Sequence, residues 1–410
     1  MQQGRMVARF AALACALIVS ACTFSDSLKH DEVWSVRPAK TGTARNVLFA
    51  TDRELDPAAE FHVGRHWAAT TSCGVASESN WAQVTSSLPV FRPCTGEPAD
   101  VSGAQRRTAP MGLFADDVAA EAGIRKCHSL LLYVHGYNTM FRTALLHSGQ
   151  IANDTHWPCA MGFFSWSSEG QYDRYAADIE RSGYSVPVLI NLLRAVAEKG
   201  IEESILAHSM GTRITLSAIG ALEPYCKSHN RKIVKELVLL APDIGVERYN
   251  DDALHLLRRA AACVGRTTIY ASNNDVILIV SEGTHGGIPR AGRVPDKDLQ
   301  YPACEALTAD IVDAGLAPGD KMGHGYFINS YEMMDDMTAA LRGVPLAARA
   351  TGAKPTLVDK GAVQVACINA AGAVGTKAAN LYSLIVAHDR QPSFTSRIMR
   401  ALIPLLVPVQ

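Results

Sequence analysis

Ile205-Leu206-Ala207-His208-Ser209-Met210-Gly211-Thr212 is the stretch that decides the fold. A short apolar run leads into Ser209, and a helix-like segment over residues 212–222 leads out of it. A strand that turns into a helix through small-x-Ser-x-Gly is a nucleophile elbow. Its tight turn lifts the hydroxyl out of the sheet and points the next backbone N–H at whatever bonds to it. Ala207 and Gly211, two before and two after the serine, are small enough for strand and helix to approach closely. Ala207 stands where glycine is more usual. A chance turn is the bland alternative, and the surrounding chain argues against it.

Outward from the elbow, short apolar runs recur. Residues 46–50, 129–135, 162–166, 204–207, 236–241 and 267–271 read as strands, with 307–313 as a poorer last candidate. Helical patterns lie between them. Leu189, Leu192, Leu193 and Val196 follow i, i+3, i+4, i+7 spacing, and Gly200 is placed to end that helix. Near-continuous apolar strands alternating with helices indicate a mostly parallel sheet covered on both faces, a doubly wound α/β fold. Residues 55–110 are rich in Pro, Gly, Ser and Thr and read as a loop-rich insertion or small hairpin region. Beyond residue 345 the pattern weakens into Ala- and Gly-rich sequence, expected to be an extension (346–410) docked on a domain spanning 45–345.

Serine is a weak nucleophile at neutral pH. It needs a base, the base needs an orienting acid, and the developing oxyanion needs donors. In the α/β-hydrolases, whose elbow the stretch around Ser209 resembles, the order along the chain is Ser, acid, His. Asp275 follows the strand at 267–271, and His324 sits between Gly323 and Gly325 after the last strand candidate. Asp243, at the end of the preceding strand, is the alternative acid; either aspartate also has the simpler reading of a helix cap. The oxyanion donors expected are the N–H of Met210, directly after the nucleophile, and that of Tyr137 in His135-Gly136-Tyr137-Asn138, with Gly136 the next choice.

Other residues carry less. His62 and His66 have i, i+4 spacing but lie in a Gly-containing loop with no partner carboxylate, so no metal is expected. His208 points to a structural or gating role. Trp166 and Asp178 read equally as cleft lining and as packing. Ser165, Ser167 and Ser168 lack elbow context. The triad chemistry requires no cofactor.

The formal net charge of -1 on 410 residues, with 48% hydrophobic and 19% charged residues, gives no electrostatic case for nucleic acid. Arg5 and Arg9 precede an apolar run over residues 10–18 and then Val19-Ser20-Ala21-Cys22. A basic start, a short apolar stretch and small residues make a secretory signal rather than a membrane span. The Val-Ser-Ala-Cys ending resembles the bacterial lipobox, which implies cleavage after residue 21, lipidation of Cys22 and a tether over residues 22–44; ordinary signal cleavage nearby is the alternative. Thr23 after the cysteine is compatible with outer-membrane sorting. Of the ten cysteines, eight lie beyond Cys22, an even set that fits disulfides in an oxidising compartment. The sequence does not select one connectivity. Pairing neighbours in order gives Cys73–Cys94, Cys127–Cys159, Cys226–Cys263 and Cys304–Cys367, and buried free thiols are the alternative.

With these residues in view, the chain resembles the α/β-hydrolases, and among them a bacterial family of unknown function. The resemblance runs through residues 46–53, 131–138, 164–170, 205–212, 239–243, 270–275, 285–292 and 323–327. It implies an α/β-hydrolase fold and the triad Ser209, Asp275 and His324, and says little about substrate, because one fold hosts many reactions. The departures are Ala207 for glycine and Trp166-Ser167-Ser168 where Trp-Pro-Ser is usual. Neither removes a catalytic group. The expectation is an exported, lipid-anchored serine hydrolase cleaving a small-molecule or lipid carboxylic ester on the periplasmic side of a bacterial membrane. An acyltransferase, an amidase or peptidase on the same triad, and a non-catalytic envelope lipoprotein are its rivals.

Overall fold

The computed structural model describes residues 45–78, 89–94, 111–171, 174–246, 252–294, 300–303, 309–317, 322–368 and 374–385. The signal-like segment, Cys22 and the tether lie outside them. The framework is a single 12-stranded sheet in the order β3-β2-β1-β5-β4-β6-β7-β8-β10-β12-β11-β9. Its strands are β1 (Arg45–Leu55), β2 (Val63–Glu78), β3 (Val90–Pro93), β4 (Ser129–Val134), β5 (Ala160–Ser165) and β6 (Glu202–His208). They continue with β7 (Val234–Leu240), β8 (Val264–Ala271), β9 (Gln300–Ala303), β10 (Asp310–Asp313), β11 (Leu357–Ile368) and β12 (Val374–Leu384). From β1 through β12 in sheet order every neighbouring pair is parallel, and antiparallel pairing is confined to β1–β2, β2–β3 and β11–β12 near the margins. The central strands β4 to β7 are buried nearly throughout, so their sequences show continuous apolar runs rather than alternation.

The helices form two separate layers, as a sheet buried on both faces requires. One contains α1 (Gly112–Ile124), α3 (Tyr175–Glu198), α4 (Gly211–Ala221) and α6 (Asp252–Ala260). The other contains α2 (Phe141–Asp154), α8 (Tyr326–Asn329), α9 (Tyr331–Leu341) and α10 (Leu346–Thr351). Short α5 (Glu223–Ser228) follows α4, and α7 (Val276–Thr284) follows β8. The apolar stripe read at Leu189, Leu192, Leu193 and Val196 is the buried face of α3, and Gly200 beyond its end has φ 78°, a left-handed conformation that glycine adopts without a Cβ penalty.

In two segments the structure adds to the sequence reading. Within the insertion read as loops or a small hairpin region, β2 is a 16-residue strand that pairs antiparallel with both β1 and β3. Its Thr, Ser, Ala and Gly content hides it, and irregular register against β1 near Arg53 breaks the alternation. The C-terminal extension does not lie on the domain as a separate piece. β12 pairs parallel with β10, and β11 continues the same sheet. The first three expected cysteine pairs are joined, with Cα–Cα distances of 5.0, 5.9 and 5.3 Å for Cys73–Cys94, Cys127–Cys159 and Cys226–Cys263. The fourth expected pair, Cys304–Cys367, lies outside the described side chains.

Candidate active site

The triad and oxyanion candidates read from the sequence follow carboxyl ends of parallel strands. Ser209 follows β6, Gly136 and Tyr137 follow β4, Asp243 follows β7, Asp275 follows β8, and His324 comes after β10. β4 and β6 are direct neighbours, with Val134 opposite Ala207, so the loop after one lies beside the elbow after the other.

At the elbow Ser209 has φ 50°, which non-glycine residues rarely adopt. Its N–H donates to the Leu240 carbonyl (2.9 Å) at the end of β7. Its own carbonyl accepts from the Thr212 hydroxyl (2.6 Å) and the N–H groups of Thr212 (3.0 Å) and Asp243 (3.3 Å). These bonds hold the strained turn. The requirement for small residues is direct: a Cβ on Gly211 would come 2.3 Å from the His135 carbonyl oxygen and 2.8 Å from that of Val134. The Ser209 Oγ is buried and has no hydrogen-bond partner among the described residues.

A Cβ on Gly136 would lie 2.8 Å from both Ser209 Cβ and His208 Nδ1, so the His135–Asn138 turn sits against Ser209. Met210 has helical dihedrals and opens α4, whose first N–H groups lack intrahelical acceptors. Both candidate oxyanion donors are therefore in the elbow's immediate surroundings.

His324 Nδ1 is 2.7 Å from Asp275 Oδ2, and the carboxyl is fully buried. The capping role weighed for this aspartate is also present: its Oδ1 accepts from Leu278 N at 3.0 Å, as N-cap of α7. One carboxylate oxygen holds the helix and the other holds the imidazole. The histidine loop is fastened by Val276 N donating to Met322 O (2.9 Å), with Gly323 at φ 68°. Asp243 is engaged elsewhere. It accepts from the Tyr175 hydroxyl (2.6 Å) and the Ser281 hydroxyl (2.6 Å), and Arg290 Nε lies 3.5 Å away. The imidazole is thus paired with Asp275 and not with the alternative acid.

His208 packs against His324. Its ring is 4.7 Å from that of His324 and 4.5 Å from that of Phe327, centroid to centroid, and it hydrogen-bonds to the His324 backbone. Burial, with the nearby imidazoles of His324, His147 and His135, pushes its pKa well below the ordinary histidine value. It is a neutral ring packed against His324. Trp166 and Asp178 are buried and act as packing and hydrogen-bonding groups: Trp166 Nε1 donates to the His135 carbonyl (2.7 Å), and Asp178 accepts from Ser168 Oγ (2.6 Å). His66 lies near Arg181, 3.4 Å from its Nη2, and among the described residues no group of three His, Cys, Asp or Glu is arranged to hold a metal ion.

The sequence reading passed over Thr51-Asp52-Arg53 as site residues. Arg53 is fully buried and bonds to the loops around the elbow. The available signal was a pair of charges directly after the apolar run that ends in Phe49-Ala50. Tyr175, which holds Asp243, carries no comparable signal.

A search of the curated proteins finds no match. The sequence model of a family described as alpha/beta hydrolase of unknown function (DUF900) matches residues 115–342, more than half of the chain, from α1 through β4, the elbow, β8 and the His324 loop to the end of α9. Sheet order, elbow and family match agree, and the chain belongs to this family of alpha/beta hydrolases.

Proposed function

We propose that this protein is an exported serine hydrolase that cleaves a carboxylic ester through an acyl-enzyme. The observation that carries the reading is the pairing of a strained Ser209 (φ 50°) at the end of β6 with a His324–Asp275 couple held at 2.7 Å on the same edge of the sheet. Ser209 Oγ attacks the acyl carbon while His324 Nε2 takes its proton. The tetrahedral intermediate collapses, and the alcohol leaves with that proton. His324 then deprotonates a water, which attacks the acyl-enzyme and releases the acid and free Ser209. Asp275 fixes the tautomer with the proton on Nδ1 and stabilises the imidazolium that forms. The N–H groups of Met210 and Tyr137 hold the oxyanion, each worth about 3–4 kcal/mol in the transition state. No step calls for a cofactor.

The same proposal includes export and a membrane anchor through lipidated Cys22. The three disulfides support an oxidising compartment, and Val19-Ser20-Ala21-Cys22 supports the anchor. Hydrolysis of p-nitrophenyl esters of graded chain length by the mature protein tests the chemistry. Turnover by wild type and none by a folded Ser209→Ala variant is the expected result. Equal turnover by both would end the proposal, and products esterified to an added alcohol would shift it to acyl transfer.

A further inference from the structure

The buried charges Arg53 and Asp178 are not used by the chemistry above, and they converge on the turn that faces Ser209. Arg53, at the carboxyl end of β1, is wholly enclosed. Its Nε donates to Ser165 Oγ (3.0 Å), one terminal nitrogen to the Ser168 carbonyl (2.7 Å), and the other to the Thr139 carbonyl (2.7 Å). Burial lowers its pKa to about 10, so it stays charged at neutral pH. Ser168 Oγ accepts from Thr139 N (3.2 Å) and donates to Asp178 (2.6 Å), whose other oxygen accepts from Glu169 N (2.8 Å). Asp178 also accepts a hydrogen bond from the Asn138 backbone. Thr51 Oγ1 donates to the Ser165 carbonyl (2.7 Å), and Trp166 Nε1 donates to the His135 carbonyl (2.7 Å). The loop leaving β5 therefore grips both ends of the 135–139 turn, and Arg53 grips that loop.

A guanidinium with three acceptors in fixed directions is a rigid part; an ammonium in its place is a point charge on a flexible stem. Enclosing it is costly unless its donors and countercharge are satisfied. One of its bonds goes to the turn that carries Tyr137, through the Thr139 carbonyl, and the other two go to the end of β5 and the loop leaving it, which in turn bonds to that turn; Asn138 in the turn has φ 54°. A strained turn keeps its shape only when its surroundings over-determine it.

We propose that Arg53, acting with Asp178 through Ser168, is a positioning residue for the oxyanion hole: it holds the His135–Thr139 turn so that the Tyr137 N–H meets the oxyanion. This rests on the hydrolase reading above. The role differs from simple fold support in what it should change. A displaced donor weakens the transition state more than the bound ester, so kcat falls while KM stays.

The test compares Ser168→Ala and Arg53→Lys with wild type and with Asn46→Ala. The last removes a hydrogen bond to Glu121 (2.8 Å) at the opposite end of β1. Ester turnover, KM and inhibition by phenylboronic acid, which forms a tetrahedral adduct on an active-site serine, are measured on each. Ser168→Ala and Arg53→Lys are expected to lose about 10- to 100-fold in kcat with KM within about 3-fold. Boronate affinity should fall in step, and Asn46→Ala should lower Tm without changing kcat. Ser168→Ala removes only a hydroxyl, so it decides the matter if Arg53→Lys does not fold. Undiminished kcat in folded Ser168→Ala, or a rise in KM alone, overturns the positioning role and leaves the hydrolase reading standing. A wild-type protein with no turnover and no boronate binding overturns both.

Discussion

Ser209 holds a backbone conformation that costs on the order of 1–3 kcal/mol, and four hydrogen bonds through its own N–H and C=O keep it there. Strain of this kind is stored where geometry serves chemistry. The neighbouring glycines are equally constrained, and Gly211→Ala drives a methyl into the His135 carbonyl. We expect that variant to lose at least about 2 kcal/mol of stability, read by denaturant unfolding, together with most of its ester turnover. The two aspartates separate in the same way. Asp275→Asn leaves the His324 tautomer wrong and should lower kcat by about 1,000-fold or more with the fold intact. Asp243→Asn should instead lower Tm, because Arg290 is left buried without its countercharge, and should keep the greater part of kcat. Equal loss of kcat in both would mean that Asp243 shares the acid's role. At this scale the sequence was informative: the placement of Ser209, Asp275 and His324 after apolar runs, in that order, carried the candidate triad, and His324 and Asp275 are in contact. It left Asp243 open because both aspartates end strands, and only the third dimension shows which one His324 reaches.

The strands of the centre were legible because a strand buried on both faces must be apolar along its length. β2, β11 and β12 were not. β2 and β12 are rich in Ala, Gly, Thr and Ser, β11 is interrupted by Asp359-Lys360-Gly361, and all three lie toward the margins of the sheet, so no long apolar run marks them. One central strand carries an anomaly. Glu203 in β6 is fully buried, and neither of its carboxyl oxygens has a hydrogen-bond partner among the described residues. Burial pushes its pKa well above the ordinary glutamate value, so the folded protein holds it protonated. The unfolded chain ionises it from about pH 4.5 upward. A group whose folded pKa is raised contributes stability below its unfolded pKa and loses it as pH rises toward the folded one. Glu203→Gln should therefore match wild type near pH 4 and exceed it progressively above that, by about 1.4 kcal/mol per pH unit until the folded pKa is reached. Urea unfolding across pH 4–8 checks this, and a variant less stable than wild type at pH 8 would contradict it.

Across the whole molecule, the candidate site and two of the described disulfides occupy opposite edges of the sheet. The site residues follow carboxyl ends of strands, whereas Cys127, Cys159 and Cys263 each precede the amino end of one, in β4, β5 and β8. The crosslinks close loops of 32 and 37 residues there, and Cys73–Cys94 closes 21 at the β2–β3 flank. Each such loop is worth about 3–4 kcal/mol in the chain-entropy account. Reduction should lower Tm well before it alters turnover at room temperature, a comparison that one thermal scan and one assay make. The C-terminal strands are part of the fold's closure. Arg349 and Asp336 form a fully buried pair at 2.7 Å, with Tyr270 and Thr356 donating to the same carboxylate. Truncation after residue 345 strips that carboxylate of its partner and leaves β10 with an open edge. We expect the truncated chain to aggregate on expression.

The central claim is that Ser209 is an activated nucleophile. Labelling of the mature, oxidised protein with a fluorophosphonate, followed by peptide mapping, tests it most directly. The account predicts one adduct, on Ser209, absent from Ser209→Ala and strongly slowed in Asp275→Asn. A folded protein that takes no label, or takes it on another residue, would contradict it.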